Sequence, residues 1–217
     1  MRTRDEQPMI GYYSYTVILT YIGFVCGAVG IYFTAHGSTN AAIIMLMLAG
    51  FCDMFDGKVA KTKKDRTPQE CKFGIQIDSL SDMVCFGLLP PLIGYSAGMH
   101  HAWQIAIFTC FSLAALIRLA YFNVSEEERQ EVTTERRKVY EGLPVTSVAL
   151  IIPLLYAFRR DLGDMFPAVA SVVYAVIACA FITRFELKKP QMRTMLLFVV
   201  IGVLELLLLI FKHRHAA

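Results

Sequence analysis

Long runs of apolar residues, separated by short polar stretches, dominate the pattern of this chain. The hydrocarbon core of a bilayer is about 30 Å thick, so a helix that rises about 1.5 Å per residue needs about 20 residues to cross it. The runs are continuous rather than alternating, which favours helices over the strands of a membrane barrel. Seven runs approach this length, and they are approximately 15–35, 41–60, 73–97, 103–122, 143–158, 166–182 and 194–211.

This pattern predicts an all-α, polytopic transmembrane helical bundle with about 6–8 spans. The fifth run is short and reaches full length only if residues 142–144 pack into the membrane boundary. The first run is too long for the hydrophobic region of a signal peptide, so we expect it to be retained as a span. Hydrophobic residues make up 56% of the chain and charged residues 18%, against about 45–50% and about 25% in soluble domains. A disordered or nucleic-acid-coating protein is thereby excluded.

The positive charges lie mainly in alternate connections between the runs. If the N-terminus is cytoplasmic, 17 of the 21 Lys and Arg residues fall on the cytoplasmic side. The four on the opposite side are Arg159, Arg160, Lys212 and Arg214. Cytoplasmic connections of membrane proteins carry an excess of Lys and Arg, so this distribution predicts a cytoplasmic N-terminus and an outer C-terminus.

Four aspartates near the ends of two neighbouring runs are the strongest candidates for chemistry. Asp53 and Asp56 are three residues apart in the second run, and Asp78 and Asp82 are four apart in the third. These spacings place each pair on one face of its helix. Four converging carboxylates would repel one another unless a cation held them, and hard oxygen ligands suit Mg²⁺ or Mn²⁺. The sequence therefore predicts a divalent metal site, with room for two ions, at the membrane edge.

Two other interpretations of these acids remain open at this point. The acids can form surface salt bridges with the lysines of the following segment, which includes Lys58, Lys61 and Lys63. They can also belong to a cation-binding transporter, which would place them near the bilayer midplane beside broken helices. Acids at span ends next to a basic loop fit an enzyme better than a transporter.

The acids and their neighbours resemble the motif of the CDP-alcohol phosphotransferase family. That motif reads Asp-x-x-Asp-Gly-x-x-Ala-Arg, then a gap, then Gly-x-x-x-Asp-x-x-x-Asp. The matching positions here are Asp53, Asp56, Gly57, Ala60, Gly74, Asp78 and Asp82. Lys61 stands where the family usually has Arg, which keeps the charge but loses the two-pronged guanidinium.

The sequence beyond this motif resembles the membrane-embedded phosphatidylserine synthases within that family. The similar segments are 55–60, 72–82, 86–87, 118–124 and 141–144. Two positions depart from that subgroup, because Tyr121 stands where Arg is expected and Thr146 where a second Pro is expected. The resemblance implies transfer of the phosphatidyl group of CDP-diacylglycerol to L-serine, with release of CMP, at the cytoplasmic face of the membrane. It also implies a homodimer. The length of the chain fits one domain, so we expect a single integral-membrane catalytic domain over residues 1–217.

The resemblance assigns roles to individual residues of this sequence. Mg²⁺ or Mn²⁺ would be held by Asp53, Asp56 and Asp78, with Asp82 as the general base and a further possible ligand. The nucleotide part of the donor is expected to face Gly57, Ala60, Lys61 and Gly74. Arg118 and Asn123 are candidates for binding serine or a phosphate, although membrane-interface snorkelling and helix capping would also explain them. Glycerol phosphate or inositol phosphate as acceptor, and an ether-lipid donor, remain alternatives.

Overall fold

The computed structural model describes residues 10–132, 139–188 and 192–214, and these residues are predominantly helical. They contain short 3-10 turns, one pair of short strands and nine α-helices. The helices are α1 (Ile18–Ala35), α2 (Thr39–Ala60), α3 (Pro68–Asp82), α4 (Leu89–Ser96), α5 (Ala102–Val132), α6 (Val148–Ala157), α7 (Arg159–Leu162), α8 (Phe166–Ile182) and α9 (Met192–Arg214). The predicted all-α class is confirmed.

Five helical segments are long and apolar enough to cross a membrane. They are Tyr15–Ala35, Pro68–Ser96, Ala102–Arg129, Arg159–Ile182 and Thr194–Lys212. A shorter apolar helix, Val145–Ala157, lies where the short fifth run was predicted. Helix α2 corresponds to the second run and has 22 residues, which gives it a length of about 33 Å. Each predicted run therefore lies on a helix, and the molecule is an integral membrane protein.

Helix α3 begins at Pro68, outside the apolar run that predicted it. Thr67 caps this end, because its hydroxyl accepts a hydrogen bond from the Glu70 N–H at 3.2 Å. The Glu70 carboxylate accepts one from the Thr67 N–H at 2.9 Å in return, which completes a capping box. Pro68 at the first helical position has no N–H to leave unsatisfied. The apolar pattern missed this first turn because the turn is polar.

Helix α5 and the following segment also differ from the predicted boundaries. The helix continues to Val132, beyond residue 122 where the fourth apolar run ends. Residues 133–138 lie outside the described residues. Strands β1 (Val139–Glu141) and β2 (Glu186–Lys188) then form an antiparallel pair. Strands of three residues are too short to produce a recognisable alternating pattern, and the sequence did not predict them.

Close packing of α1 fixes the segment that follows the second acid pair. Residues Met83–Leu88 form a π-helical stretch that joins α3 to α4. A Cβ atom on Gly27 of α1 would lie 2.4 Å from the Cys85 Sγ in that stretch. Only glycine permits such an approach. The π-helical stretch, of a kind found frequently at functional sites, is therefore held directly against α1.

Aromatic side chains pack the other half of the bundle. Phe111 of α5 lies with its ring centroid 5.4 Å from that of Tyr174 and 5.3 Å from that of Phe181, both on α8. The Tyr174 hydroxyl donates a hydrogen bond of 2.6 Å to the carbonyl oxygen of Pro90 in α4. A buried tyrosine needs such a partner for its polar end. These contacts join α4, α5 and α8 behind the helices that carry the acids.

Candidate active site

The four predicted aspartates come together between α2 and α3. One carboxylate oxygen from each of Asp53, Asp78 and Asp82 lies within 4.8 Å of the others. The Asp56 side chain neighbours that of Asp78, and all four acids line one small cavity. Asp56 is 7% exposed and Asp82 is 9% exposed. The helical spacing of the two pairs thus produces the convergence that the sequence predicted.

Two threonine hydroxyls orient the acids of α2. The Thr20 hydroxyl on α1 donates a hydrogen bond of 3.1 Å to Asp56 Oδ2. The Thr146 hydroxyl, in the turn before α6, donates one of 2.6 Å to Asp53 Oδ2. Sequence reasoning missed the contact of Thr20 and treated Thr146 only as a departure from a family pattern. No spacing signal could have found either, because the partners are 36 and 93 residues apart.

The cluster fits a divalent cation held by oxygen ligands. Metal–oxygen bonds are about 2.0–2.1 Å long for Mg²⁺ and about 2.3–2.6 Å for Ca²⁺, so two ligands of one ion lie at most about 4.2 Å apart around Mg²⁺ and about 5.2 Å apart around Ca²⁺. The three carboxylate oxygens lie within 4.8 Å of one another, inside the larger limit and close to the smaller one. Asp78 Oδ1 is buried and has no hydrogen-bond partner among the described residues, although buried acceptors are normally satisfied. A cation would satisfy it.

Lysines of the basic segment pair with other acids. Lys63 lies 2.8 Å from Glu70, and Lys72 lies 2.9 Å from Glu127. The hydrogen bond to Glu70 raises the pKa of the Lys63 ammonium above its ordinary value. These two lysines therefore do not neutralise the aspartate cluster as the salt-bridge interpretation required.

The residues expected to face a nucleotide lie at the end of α2 and within α3, close in sequence to the acids. Nothing lies within 4 Å of a Cβ atom built on Gly57, so the space beside this glycine is open. Ala60 ends α2 and the exposed Lys61 caps it. Gly74 lies one turn before Asp78, and a Cβ atom there would be 2.7 Å from a terminal guanidinium nitrogen of Arg66. The sequence did not predict this contact between Arg66 and Gly74.

Arg118 and Asn123, the candidates for binding serine or a phosphate, lie on α5 in different surroundings. The Arg118 guanidinium donates hydrogen bonds to the carbonyl oxygens of Glu141 at 2.6 Å and Gly142 at 3.4 Å. Asn123 accepts a hydrogen bond of 2.7 Å from the Ser79 hydroxyl and donates one of 3.3 Å to Gln76. Arg118 thus anchors the turn before α6, whereas Asn123 joins α5 to the helix that carries Asp78 and Asp82.

Asn123 also lines a recess between α3 and the far end of α5. The recess has a volume of about 410 Å³, which is within the usual range of small-molecule sites. Its walls are formed by Arg66, Pro68, Cys71, Lys72, Ile75, Gln76, Asn123 and Glu127. Polar and charged side chains therefore face an open space beside the acid-bearing helix.

Comparison with known proteins agrees with this arrangement. Residues 15–184 match the family model described as CDP-alcohol phosphatidyltransferase. A CDP-diacylglycerol–serine O-phosphatidyltransferase of Saccharomyces cerevisiae is 34% identical over 119 residues, which cover 54% of this chain and 42% of that protein. An archaetidylserine synthase of Methanothermobacter thermautotrophicus is 32% identical over 162 residues, which cover 73% of this chain and 65% of the relative.

A third relative is covered over more of its own length. A CDP-diacylglycerol–serine O-phosphatidyltransferase of Bacillus subtilis is 24% identical over 140 residues, 64% of this chain and 72% of the relative. The chain thus spans less than two thirds of the yeast and archaeal relatives. The family model nevertheless covers most of the 217 residues, including all four aspartates. The chain belongs to the CDP-alcohol phosphatidyltransferase family.

Proposed function

We propose that this chain is a CDP-diacylglycerol–serine O-phosphatidyltransferase. The observation that carries the proposal is the convergence of four aspartates around one cavity, all of them within the residues that match the family model. In this reaction the serine hydroxyl oxygen bonds to the phosphorus of the phosphatidyl group. The bond from that phosphorus to the CMP oxygen breaks, and CMP leaves with the electron pair. The products are phosphatidylserine and CMP.

Asp53, Asp56, Asp78 and Asp82 would hold the divalent metal, which we propose to be a pair of Mg²⁺ or Mn²⁺ ions. When bound, such ions neutralise the charge of a diphosphate and stabilise the leaving phosphate. The protein's own contribution is the fixed geometry of the carboxylates, which Thr20 and Thr146 hold through hydrogen bonds. Outer hydrogen bonds of this kind orient metal ligands.

Asp82 is the proposed general base. A neutral serine hydroxyl is a weak nucleophile and needs a carboxylate within hydrogen-bond reach to accept its proton. Asp82 is the innermost acid of α3, one turn beyond Asp78, and the π-helical stretch begins at the next residue. We therefore assign the hydroxyl proton to the Asp82 carboxylate as the new bond to phosphorus forms.

The donor and acceptor would approach the acids from the side of the Lys- and Arg-containing connection between α2 and α3. Gly57, Ala60, Lys61 and Gly74 are the proposed contacts of the cytidine diphosphate, and the open space beside Gly57 supports this placement. Asn123 is the proposed contact of serine or a phosphate, because it lines the recess beside α3. Arg118 is proposed to contribute indirectly. Its guanidinium donates a hydrogen bond to the Glu141 carbonyl oxygen and so supports the turn that leads to Thr146.

The proposal places this site at the cytoplasmic face of the cell membrane, in a single domain over residues 1–217. The excess of Lys and Arg in the connections on that side supports the orientation. We also propose a homodimer, on family resemblance. The similarity to an archaetidylserine synthase supports a second candidate, in which the donor is an ether lipid and the acceptor is still serine.

The test is CMP release by the purified protein. CDP-diacylglycerol or its ether-linked analogue is supplied with Mn²⁺ or Mg²⁺ and with serine, glycerol 3-phosphate or inositol phosphate in turn, with EDTA as the control. We expect metal-dependent CMP release only with serine. Release only with another alcohol would contradict the assigned acceptor, and no release with any combination would contradict the enzymatic proposal.

A further inference from the structure

We propose that Arg66 binds the diphosphate of the CDP-linked donor and supplies the guanidinium that Lys61 does not. This inference rests on the proposed function and extends it to a residue outside the recognised motif. The ligand class is a nucleoside diphosphate, whether free or attached to a lipid. Three observations on the position, the hydrogen bonds and the neighbours of Arg66 lead to it.

The first observation is the position of the guanidinium. Arg66 lies in the connection between α2 and α3, and one of its terminal nitrogens is 2.7 Å from where a Cβ atom of Gly74 would be. The end of the side chain therefore lies directly on the backbone of α3, where Gly74 carries no Cβ atom to displace it. Gly74 precedes Asp78 by four residues, or about 6 Å along the helix. Residues four apart share a face of a helix, so a diphosphate held at the acid cluster would extend along α3 towards this guanidinium.

The second observation is an unused donor. A guanidinium has five N–H groups in a planar fork, and one terminal nitrogen of Arg66 donates to the Glu70 carbonyl oxygen at 3.2 Å. The Arg66 Nε is buried and has no hydrogen-bond partner among the described residues. The nearby Glu70 carboxylate is already held by Lys63 at 2.8 Å and by the Thr67 N–H at 2.9 Å. A buried donor without an acceptor is unfavourable, and a phosphate oxygen would satisfy it.

The third observation is the contrast with Lys61. Lys61 is exposed at the end of α2 and offers a point charge, whereas two-pronged contact with phosphate requires a guanidinium. Arg66 is five residues further along the chain and is held in place by Gly74 and Glu70. It also lines the recess of about 410 Å³, in which the other two charged residues, Lys72 and Glu127, pair with each other at 2.9 Å. Arg66 is thus the guanidinium in this connection that is both fixed and provided with space for an anionic ligand.

The experiment measures the affinity of CDP and of cytidine by calorimetry, with purified protein in detergent and saturating Mn²⁺. The variants are Arg66→Ala, Arg66→Lys and the double variant Lys61→Arg with Arg66→Ala. Lys64→Ala is the matched control, because it removes one exposed positive charge from the same connection. Thermal unfolding of each variant and its Mn²⁺ affinity are measured alongside.

We expect Arg66→Ala to weaken CDP binding about tenfold or more, since charge-assisted phosphate contacts are strong. Cytidine binding, Mn²⁺ affinity and the control Lys64→Ala should stay within about twofold of the unmodified protein. Arg66→Lys should lose most of the CDP affinity although it keeps the charge. The double variant should recover part of it, because Lys61→Arg restores a guanidinium at the family position.

Wild-type affinity for CDP in Arg66→Ala, in a protein that binds CDP, would overturn the role of Arg66 and leave the proposed function intact. Equal weakening in Arg66→Ala and Lys64→Ala would also overturn it, because general charge attraction would then explain the effect. Failure of the unmodified protein to bind CDP with Mn²⁺ would overturn the proposed function and this inference together. If Arg66→Ala unfolds at a lower temperature than the unmodified protein, the CDP affinity of Arg66→Lys is used instead. Loss of most of that affinity would support the role of Arg66, and wild-type affinity would overturn it.

Discussion

At the scale of single residues, the four acids are chemically alike, but the pair on α2 and the two acids of α3 occupy different surroundings. Asp53 and Asp56 each accept a hydrogen bond from a threonine. Asp78 has a buried oxygen with no partner among the described residues, and Asp82 immediately precedes the π-helical stretch. These differences support the separate roles proposed for the acids, in which three mainly bind metal and Asp82 also accepts a proton.

Asp82→Asn should abolish turnover and leave CDP binding nearly unchanged. Asparagine keeps the shape of the side chain and one possible metal-ligand oxygen, but it cannot accept the serine proton. The measurements are CMP release with serine and calorimetric CDP affinity in the presence of Mn²⁺. Asp164→Asn, in an exposed turn, is the control for the substitution itself. Turnover of the purified Asp82→Asn protein close to that of wild type would contradict the role of base.

Thr146→Val should weaken Mn²⁺ binding about tenfold, because loss of an outer hydrogen bond to a metal ligand has effects of about this size. The valine removes the hydroxyl that donates to Asp53 and keeps the volume. Thr146→Ser should retain wild-type affinity.

Thr109→Val provides the matched control for this substitution. The Thr109 hydroxyl donates only within its own helix, to the Ile105 carbonyl oxygen at 2.9 Å. Equal Mn²⁺ affinities of Thr146→Val and Thr109→Val, measured by calorimetry, would show that the contact with Asp53 does not orient the ligand.

At the scale of elements, the site depends on how tightly α1 packs against the segment behind Asp82. Gly27 brings α1 into contact with Cys85, and the Cys85 thiol donates a hydrogen bond of 3.4 Å to the Gly23 carbonyl oxygen. The turn before α6 is held separately. Arg118 binds the carbonyl oxygens at Glu141 and Gly142, and Thr146 follows within the next turn of chain.

Gly27→Ala should lower the free energy of unfolding by about 1–3 kcal/mol, the usual cost of overpacking. The added methyl group would overlap the Cys85 Sγ at 2.4 Å, and the Cys85 Cα and Cβ atoms, each at 3.3 Å, leave the methyl group little room to shift. Gly202→Ala is the control, because its methyl group would meet only the Leu150 side chain at an ordinary 3.6 Å. Equal thermal unfolding temperatures of the two variants would contradict the proposed close packing.

At the scale of the whole molecule, the sequence predicted the spans and the acid cluster for a shared physical reason. Apolar length is a local property that a membrane enforces, and the spacing of Asp78 and Asp82 on one helix is local as well. Contacts between distant segments were not accessible in this way. Thr146 with Asp53, and Arg66 on Gly74, depend on how the helices pack. The turn that caps α3 and the strands β1 and β2 lack an apolar pattern of sufficient length.

Divalent metal should stabilise the entire fold, because the site draws on α2 and α3 and is supported from α1 and the turn before α6. Without a cation the carboxylates repel one another across a largely buried cavity. A ligand that binds only the folded state stabilises it by about 2.7 kcal/mol at a hundred times its Kd. We therefore expect the thermal unfolding temperature to rise with Mn²⁺ and to fall with EDTA.

The variant Asp78→Asn tests whether this stabilisation comes from the acid cluster. In EDTA it should unfold at a higher temperature than the unmodified protein, because one repelling charge is removed from the cluster. With Mn²⁺ it should gain less stability, because it has lost a carboxylate ligand. The exposed Asp164→Asn variant should respond to Mn²⁺ as the unmodified protein does. If Mn²⁺ stabilises Asp78→Asn as strongly as the unmodified protein, the stabilising ion binds elsewhere and the acids are not its ligands.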